Sequence, residues 1–214
     1  MEESINYVEI LKKKKAVLAV KRFFDIMASF FGLMFLLLPF CIVAIIIKCT
    51  SEGPVFYKQV RVGKDGKEFK IFKFRTMVVD ADKKGLQITT KNDNRVTKIG
   101  AILRKTKLDE LPQLINVLIG DMSFVGPRPE VPKYVALYNE EQRNVLLVRP
   151  GITELSSILF RDENEMLDAA ENPEKVYIEE IMPKKISYNL EYLTKIGPFY
   201  DLKLIFRTIG IMFK

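Results

Sequence analysis

The chain has 214 residues, a formal net charge of +7 at pH 7 and no histidine. Without histidine, the usual acid–base catalyst near neutral pH is excluded, and carboxylates are the best remaining candidates for chemistry. The positive charge indicates an anionic partner: nucleic acid, an anionic membrane surface or a phosphorylated substrate. Hydrophobic residues make up 48% of the chain, which argues against disorder. Two cysteines, Cys41 and Cys49, do not resemble a disulfide framework or a zinc site.

The segment 23–47 is almost continuously apolar. As a helix it would rise about 37 Å, which is enough for a bilayer core of about 30 Å. A cleaved signal peptide is disfavoured because the run is long and no small-residue cleavage site follows it. A buried core helix is the remaining alternative to a membrane segment.

Lysine and arginine flank the apolar segment on both sides, which favours a cytoplasmic location for both of its ends. Pro39 lies inside the segment, where it removes a backbone hydrogen bond and favours a kink. A hairpin that enters the membrane, breaks at Pro39 and returns satisfies both observations. A single span is the alternative.

The rest of the chain predicts an α+β fold that is mostly helical. A β-hairpin is predicted from residues 54–62 and 68–74. Helices are predicted over 96–106, over 111–119 with a stop at Gly120, from 129 to about 147 and over 173–193 with a break near Pro183. A loop is predicted over 80–94. The tail from Asp201 to Lys214 forms an amphipathic helix that either lies on a membrane surface or packs on the core.

Asp109 and Glu110 are adjacent carboxylates among the cations Arg104, Lys105 and Lys107. Pro112 follows them, so a helix begins or kinks there, and the two carboxylates lie at a break in regular structure. The cations are expected to keep Asp109 ionised, as a nucleophile requires. A solvated helix start is the alternative for this string.

Further cations suit the binding of phosphate. Arg128 lies between Pro127 and Pro129, which fix the local backbone, and a guanidinium group matches the geometry of phosphate oxygens. Pairing of Arg128 with a nearby carboxylate is the alternative. Lys73 and Arg75 are spaced two apart on a predicted strand and therefore share one face, which could also be a solvated face.

Taken together, these motifs resemble those of the monotopic phosphoglycosyl transferases, the bacterial sugar transferase family that starts glycan and polysaccharide assembly. The resemblance covers roughly residues 20–155, in the family's order. It is carried by Lys21-Arg-Phe-Phe-Asp25, Gly53-Pro-Val-Phe-Tyr-Lys-Gln59, Phe72-Lys-Phe-Arg-Thr-Met77, Leu108-Asp-Glu-Leu-Pro-Gln-Leu114, Asn116-Val117, Gly120-Asp-Met-Ser-Phe-Val-Gly-Pro-Arg-Pro129 and Arg149-Pro-Gly-Ile-Thr153.

The resemblance implies transfer of a phosphosugar from a nucleotide diphosphate sugar, expected to be a UDP-sugar, to a polyprenol phosphate such as undecaprenyl phosphate, with release of the nucleoside monophosphate. It implies Asp109 as the nucleophile that carries the phosphosugar and Glu110 as its partner. Mg²⁺ would be held at the diphosphate with Asp109 as a ligand. The expected phosphate-binding residues are Arg104, Arg128, Lys73, Arg75 and Arg149.

The same resemblance implies a division into a basic N-terminal segment (1–22), a re-entrant membrane helix (23–47) and a cytoplasmic catalytic domain (48–214). The location would be the cytoplasmic face of the bacterial inner membrane, and a homodimer is left open. Because no multi-span region precedes the apolar segment, the chain is expected to be a minimal catalytic form.

Two departures from the family pattern bear on these expectations. After Thr153 the family usually continues with glycine, an aromatic or small apolar residue and Ala-Gln, whereas this chain reads Glu154-Leu-Ser-Ser-Ile-Leu-Phe160. The departure bears on the contacts to the sugar or to the nucleotide rather than on the carboxylate chemistry. Leu38 precedes Pro39 where relatives often have serine. A non-catalytic, membrane-anchored interaction protein is the alternative function. A nucleic-acid binder is disfavoured because the aromatic residues lie mostly in apolar runs.

Overall fold

The computed structural model describes residues 5–81, 93–160, 166–167 and 169–212. It confirms an α+β fold that is mostly helical. The described helices are α1 (Tyr7–Lys13), α2 (Lys15–Thr50), α3 (Lys98–Lys105), α4 (Gln113–Ile119), α5 (Pro132–Val135), α6 (Leu155–Leu159), α7 (Pro173–Val176), α8 (Met182–Lys195) and α9 (Pro198–Met212). The described strands are β1 (Phe56–Val62), β2 (Glu68–Phe74), β3 (Ser123–Val125) and β4 (Gly151–Thr153). Turns of 3₁₀ or π type occupy Lys64–Gly66, Leu108–Glu110, Gln142–Leu147 and Tyr177–Ile181.

Strand β2 lies at the centre of the part of the fold that holds the predicted site. It pairs antiparallel with β1, and Phe56 lies opposite Phe74. Side chains alternate between the two faces of a strand. Ile71 accordingly packs with Val117 and Met122, while Phe74 packs on the other face with Ile47 of α2 and with α3. The strand is therefore covered on both sides, which fixes its register.

A second and larger core is built around α8. Tyr192 and Leu193 are almost completely buried there, as are Ile181 before the helix and Leu204 of α9. Strand β3 runs beside this core and pairs in parallel with β4, so that Val125 lies opposite Thr153. The two cores place the β1–β2 hairpin and the β3–β4 pair on a common scaffold.

Helix α2 contains the whole predicted apolar segment and extends beyond both of its ends. It is long and apolar enough to cross a membrane, and only 6% of its most apolar window is buried. The alternative of a buried core helix is therefore wrong. The helix runs through Pro39 without interruption, so the predicted break into two helices is not observed. A continuous helix can absorb the single hydrogen bond lost at an internal proline as a kink.

Several other predicted boundaries differ from the observed ones. The hairpin strands, the helix near residues 98–105 and the stop at Gly120 are confirmed. The predicted helix from 129 to 147 is instead α5 followed by a separate 3₁₀ turn. The two elements are separate because the side chain of each of Asn139 and Gln142 accepts a hydrogen bond from the main-chain N–H of the other. The break near Pro183 is the π turn before α8. Most of the predicted loop 80–94 lies outside the described residues.

Helix α9 divides the apolar residues of the predicted amphipathic tail. Leu204 is buried in the larger core, and Ile205 packs against that core. Leu202, Phe206 and Ile209 remain exposed. One face of the described tail therefore packs on the core, as one alternative predicted, while a second apolar face stays uncovered and contact of that face with a membrane stays a prediction.

Buried polar contacts join the start of α2 to the rest of the molecule. Lys21 Nζ lies 2.5 Å from Asp201 Oδ2, and both side chains are buried. The other oxygen of Asp201 accepts a hydrogen bond from the Tyr192 hydroxyl. One turn further along α2, Asp25 accepts hydrogen bonds from the Ser123 hydroxyl and from the next main-chain N–H. These contacts fix the direction in which α2 leaves the folded unit.

We predict that Lys21→Met destabilises the protein by about 3–5 kcal/mol, because Asp201 would keep a buried charge without its cation. The measurement is the free energy of unfolding in detergent. Lys13→Met is the matched control, since Lys13 and its partner Glu9 are 76% and 59% exposed. Exposed pairs contribute at most about 1 kcal/mol. Equal losses in the two variants would contradict the prediction.

Candidate active site

The two predicted catalytic carboxylates lie on the turn between α3 and α4. Helix α3 ends at Lys105, and Lys107 then takes a left-handed backbone conformation with φ of 57°. This residue reverses the chain into the 3₁₀ turn Leu108–Glu110. Pro112 stands at the N-cap of α4, where its missing N–H costs nothing. The prediction that a proline-marked break presents the carboxylates is confirmed.

Asp109 is buried, and one of its oxygens is unpartnered. Only 7% of the residue is exposed, and Oδ1 has no hydrogen-bond partner among the described residues. Burial raises the pKa of Asp109, and the nearby charge of Lys73 offsets this only in part. The sequence predicted that the cations would dominate and keep Asp109 ionised, whereas burial outweighs them and the charge of Glu110 adds to the rise in pKa.

Glu110 is held by two cations. Its Oε1 atom accepts a hydrogen bond from Lys73 Nζ at 2.7 Å and another from Arg128 Nη2 at 3.3 Å. Burial alone would raise the pKa of Glu110, but Lys73 and Arg128 outweigh it and hold the pKa well below its usual range. Arg128 therefore pairs with a carboxylate, which is the alternative that its sequence left open. Arg128 also lines the cleft, close to the turn that carries Asp109.

Adjacent carboxylates thus have pKa values shifted in opposite directions, a pattern that typically marks different roles. Glu110 is an anion fixed by its partners. Asp109 offers an oxygen that no protein group occupies. A carboxylate of raised pKa is a stronger nucleophile once ionised, so Asp109 is the better candidate for attack.

Arg104 lies close to Asp109 and is positioned by Thr76. Its Nε donates a 2.8 Å hydrogen bond to Thr76 Oγ1, which lies just beyond strand β2. Burial lowers the pKa of Arg104, while the charge of Asp109 opposes that shift. Arg104, Lys73 and Arg128 are therefore the predicted phosphate-binding residues that the structure brings together around the carboxylates.

The structure gives the other two predicted phosphate ligands different partners. The guanidinium of Arg75 donates hydrogen bonds to the carbonyls of Ser51 and Glu52, which directly follow the end of α2. Arg149 Nε donates to the carbonyl of Gly120 at the end of α4 and lies outside the cleft that contains Asp109. Carbonyl groups at helix C-termini lack partners within the helix and attract cations. Arg75 nevertheless lines the cleft that contains Asp109, and the phosphate-binding role of both residues stays a prediction.

Sequence reasoning gave no role to two buried polar residues. Asn116 is fully buried in α4, and its amide pairs with the main chain of β2 at Lys70 and Phe72. It holds the carboxylate turn against the strand that carries Lys73. Glu154 is also fully buried and accepts a hydrogen bond from the main-chain N–H of Arg128. A polar residue inside an apolar run was the available signal for Asn116.

The carboxylates lie in the wall of an open cleft of about 2470 Å³. Pockets for one small ligand usually measure about 300–1,000 Å³, so this cleft has room for two substrates. Its lining includes Lys73, Arg104 and Arg128, and it extends to Thr208 and Ile211 of α9. A cationic cleft with one available carboxylate suits nucleophilic chemistry on a phosphate compound.

Comparison with known proteins identifies the family. The family model described as bacterial sugar transferase matches residues 16–214, nearly the whole chain. The chain belongs to the bacterial sugar transferase family. The resemblance carried by the sequence motifs is confirmed.

Curated members of this sugar transferase family cover most of the chain. The UDP-glucose:undecaprenyl-phosphate glucose-1-phosphate transferase of Escherichia coli (strain K12) is 38% identical over 198 residues, which are 89% of this chain and 39% of that protein. The UDP-N-acetylgalactosamine-undecaprenyl-phosphate N-acetylgalactosaminephosphotransferase of Aeromonas hydrophila is 34% identical over 89% of this chain and 43% of its own length. The exopolysaccharide production protein PSS of Rhizobium leguminosarum bv. phaseoli is 41% identical over 90% of this chain and 94% of its length. The chain therefore spans less than half of the first two relatives.

The cleft offers one carboxylate donor that would suit a magnesium ion. Among the residues that the structure describes, no group of three or more acidic or cysteine side chains could hold a metal. Mg²⁺ is commonly held by one or two carboxylates, with substrate phosphates and water as the other ligands. The unpartnered oxygen of Asp109 is such a donor.

We predict that Glu110→Gln lowers the free energy of unfolding by about 3–5 kcal/mol at pH 7, because Lys73 and Arg128 lose a buried counter-charge. Glu110 has a lowered pKa in the folded state, so its stabilising contribution is present above the unfolded value of 4.5 and is lost as pH falls below it. The difference between wild type and variant should therefore shrink on acidification below about pH 4.5. Chemical denaturation across this range measures it.

Glu191→Gln is the control for that experiment, because Glu191 pairs with Lys195 on the surface and both side chains are about half exposed. It should change stability by no more than about 1 kcal/mol. A difference between wild type and Glu110→Gln that stays constant down to pH 2 would contradict the assigned ionisation of Glu110.

Proposed function

We propose that the chain transfers a phosphosugar from a UDP-sugar to a polyprenol phosphate, with undecaprenyl phosphate as the natural acceptor, and releases UMP. The reaction would proceed through a covalent phosphosugar on Asp109 and would be the first membrane step in assembling a glycan. The names of the E. coli and Aeromonas relatives support the substrates. The observation that carries the mechanism is the buried, unpartnered oxygen of Asp109 beside an anion already fixed by two cations.

In the first half-reaction, an oxygen of Asp109 attacks the β-phosphorus of the UDP-sugar. The bond from that phosphorus to the bridging oxygen breaks, and UMP leaves with the bond's electron pair. Arg104 is positioned to bind phosphate oxygens, while Lys73 and Arg128 hold Glu110 in place and contribute positive charge. Because Glu110 stays paired, the local cations are not drawn towards Asp109, which keeps its oxygen available.

In the second half-reaction, an oxygen of the lipid phosphate attacks the same phosphorus and Asp109 leaves as a carboxylate. The product is a polyprenyl diphosphate sugar, and the enzyme is regenerated without net proton transfer. The cleft admits this substrate from the side of α9, where Thr208 and Ile211 form part of its lining. Asp109 would hold Mg²⁺ together with the diphosphate, and the ion would supply charge neutralisation there when bound.

Contacts at both ends of α2 support a re-entrant course, in which a kink at Pro39, rather than a break into two helices, would return α2 to the same face of the membrane. Asp25, near the start, bonds to Ser123, whereas Ile47, near the end, packs with Phe74 of β2. A helix that crossed the bilayer would leave one of these ends on the far side, because about 33 Å separates them along a straight helix. The apolar side chains that α2 leaves exposed would face lipid, together with the exposed face of α9. The folded unit would then lie on the cytoplasmic face of the inner membrane.

We predict that Asp109→Asn abolishes sugar transfer, because an amide cannot form the covalent intermediate. The assay combines the purified protein, Mg²⁺, undecaprenyl phosphate and a panel of UDP-sugars, and measures UMP. Wild type should also exchange labelled UMP into the UDP-sugar without any lipid acceptor, as a covalent intermediate requires. EDTA should stop both reactions and added Mg²⁺ should restore them.

Glu191→Gln, which changes an exposed carboxylate, should leave both reactions unchanged. Full activity of Asp109→Asn would show that the covalent mechanism is wrong. Absence of UMP release from every donor by wild type would remove the proposed function itself.

We predict that both ends of α2 are accessible from the cytoplasm only. Cys41→Ser and Cys49→Ser remove the two native thiols, both exposed on α2, and Lys15→Cys or Lys48→Cys then places one thiol at either end. A membrane-impermeant maleimide should label neither position in intact cells with a permeabilised outer membrane. It should label both in inverted inner-membrane vesicles. Labelling of the two positions from opposite sides would contradict the re-entrant course.

A further inference from the structure

Glu154 follows strand β4 at the point where the sequence departs from the family pattern. The residue is 1% exposed, yet it lies in the lining of the catalytic cleft. Its Oε2 atom accepts a hydrogen bond from the main-chain N–H of Arg128 at 3.2 Å and one from Asn189 Nδ2 at 3.4 Å. Its position is therefore fixed from two sides.

Three polar atoms around this position are buried without a hydrogen-bond partner in the part of the chain that the structure describes. They are Glu154 Oε1, Asn189 Oδ1 and Ser156 Oγ. Each of the three residues is more than nine-tenths buried. Leaving a buried polar atom unsatisfied costs about 1–3 kcal/mol, and native proteins contain few such atoms. One carboxylate oxygen, one amide oxygen and one hydroxyl therefore have hydrogen-bonding capacity that a ligand or water would satisfy.

The chemistry of the cluster suits the sugar of the donor substrate rather than its phosphates. Arg128 connects the cluster to the catalytic turn, because its guanidinium donates to Glu110 while its main chain donates to Glu154. The carboxylate of Glu154 would repel phosphate groups, which belong beside Lys73 and Arg104. Sugar hydroxyl and amide N–H groups are neutral donors that suit free carboxylate and amide oxygens.

We propose that Glu154 binds the sugar of the nucleotide donor and so determines which sugar is transferred, with Asn189 as the residue that positions it. This inference rests on the proposed function, in which Asp109 attacks the β-phosphorus beside Glu110, the ion-pair partner of Arg128. The sugar is attached directly to that phosphate, so it reaches the residues immediately behind Arg128. Glu154 binds through its unpartnered Oε1 atom, while Asn189 holds the other carboxylate oxygen.

The alternative roles are distinguishable. Glu154 could only position Arg128, in which case its loss would weaken the binding of every phosphate compound equally. Internal water could also satisfy the three atoms, in which case substitution would change stability and not the choice of sugar. The sugar pocket alone predicts an effect that depends on the presence and stereochemistry of the sugar.

The experiment compares Glu154→Gln and Asn189→Leu with wild type in the UMP-release assay, using the full chain. The donors are UDP-glucose, UDP-galactose, UDP-N-acetylglucosamine and UDP-N-acetylgalactosamine, and UDP serves as a competitive inhibitor without a sugar. Glu179→Gln and Ser187→Ala are the matched controls, because both residues are exposed and lie close to or within α8.

We expect each pocket variant to change the ratio of kcat/KM between epimeric donors by about tenfold or more, as the loss of a sugar-specific hydrogen bond does. The inhibition constant of UDP should change by no more than about twofold, which also shows that the cleft is intact. The controls should match wild type in every measurement.

An equal loss for all donors together with weaker inhibition by UDP would overturn the proposal in favour of positioning of Arg128. An unchanged donor preference in an active enzyme would overturn it in favour of internal water. Failure of wild type to release UMP from any donor is a different result, which overturns the proposed function and the sugar pocket with it.

Discussion

The ion pairs of Glu110 are the interactions on which the catalytic half of the molecule depends. A buried carboxylate is stable only when its charge is matched, and Glu110 obtains its two cations from separate parts of the chain. Lys73 comes from β2 and Arg128 comes from the loop after β3. A single anion therefore joins a hairpin, a turn and a proline-rich loop. Asp109 lies next to this junction because it precedes Glu110 on the same 3₁₀ turn.

The same use of buried charge recurs where α2 meets the folded unit. Lys21 and Asp201 neutralise each other in the interior, and Asp25 accepts two hydrogen bonds from the start of β3. These contacts tie an apolar helix, most of whose surface suits lipid, to a polar cleft that suits phosphate. The proposed reaction needs that arrangement, because one substrate is held in a membrane and the other dissolves in water.

The parts of the fold that local pattern determines could be predicted from the sequence. The alternation in β2 and the glycine that ends α4 are visible in a few residues, and both were confirmed. The helix predicted over 129–147 was wrong because side-chain hydrogen bonds between Asn139 and Gln142 replace those of a continuous helix. In the site, a chain without histidine and a Pro-Arg-Pro string led to Asp109, Glu110 and Arg128. The destinations of Arg75 and Arg149 could not be predicted, because they depend on which helix ends lie nearby in the folded molecule. The burial of Glu154 likewise depends on α8, which is distant in the sequence.

The parallel pairing of β3 with β4 has a consequence for how such an enzyme changes its substrate. Gly126 and Gly151 let the two strands approach so closely that a Cβ atom on either would collide with the main chain of the other. Both strands end at the same edge, where one continues into Arg128 and the other into Glu154. Any shift of one strand against the other would displace Arg128 and Glu154 together. If Glu154 binds the sugar as proposed, a change of donor preference that leaves this tight backbone pairing intact would come from side chains beyond the strand ends.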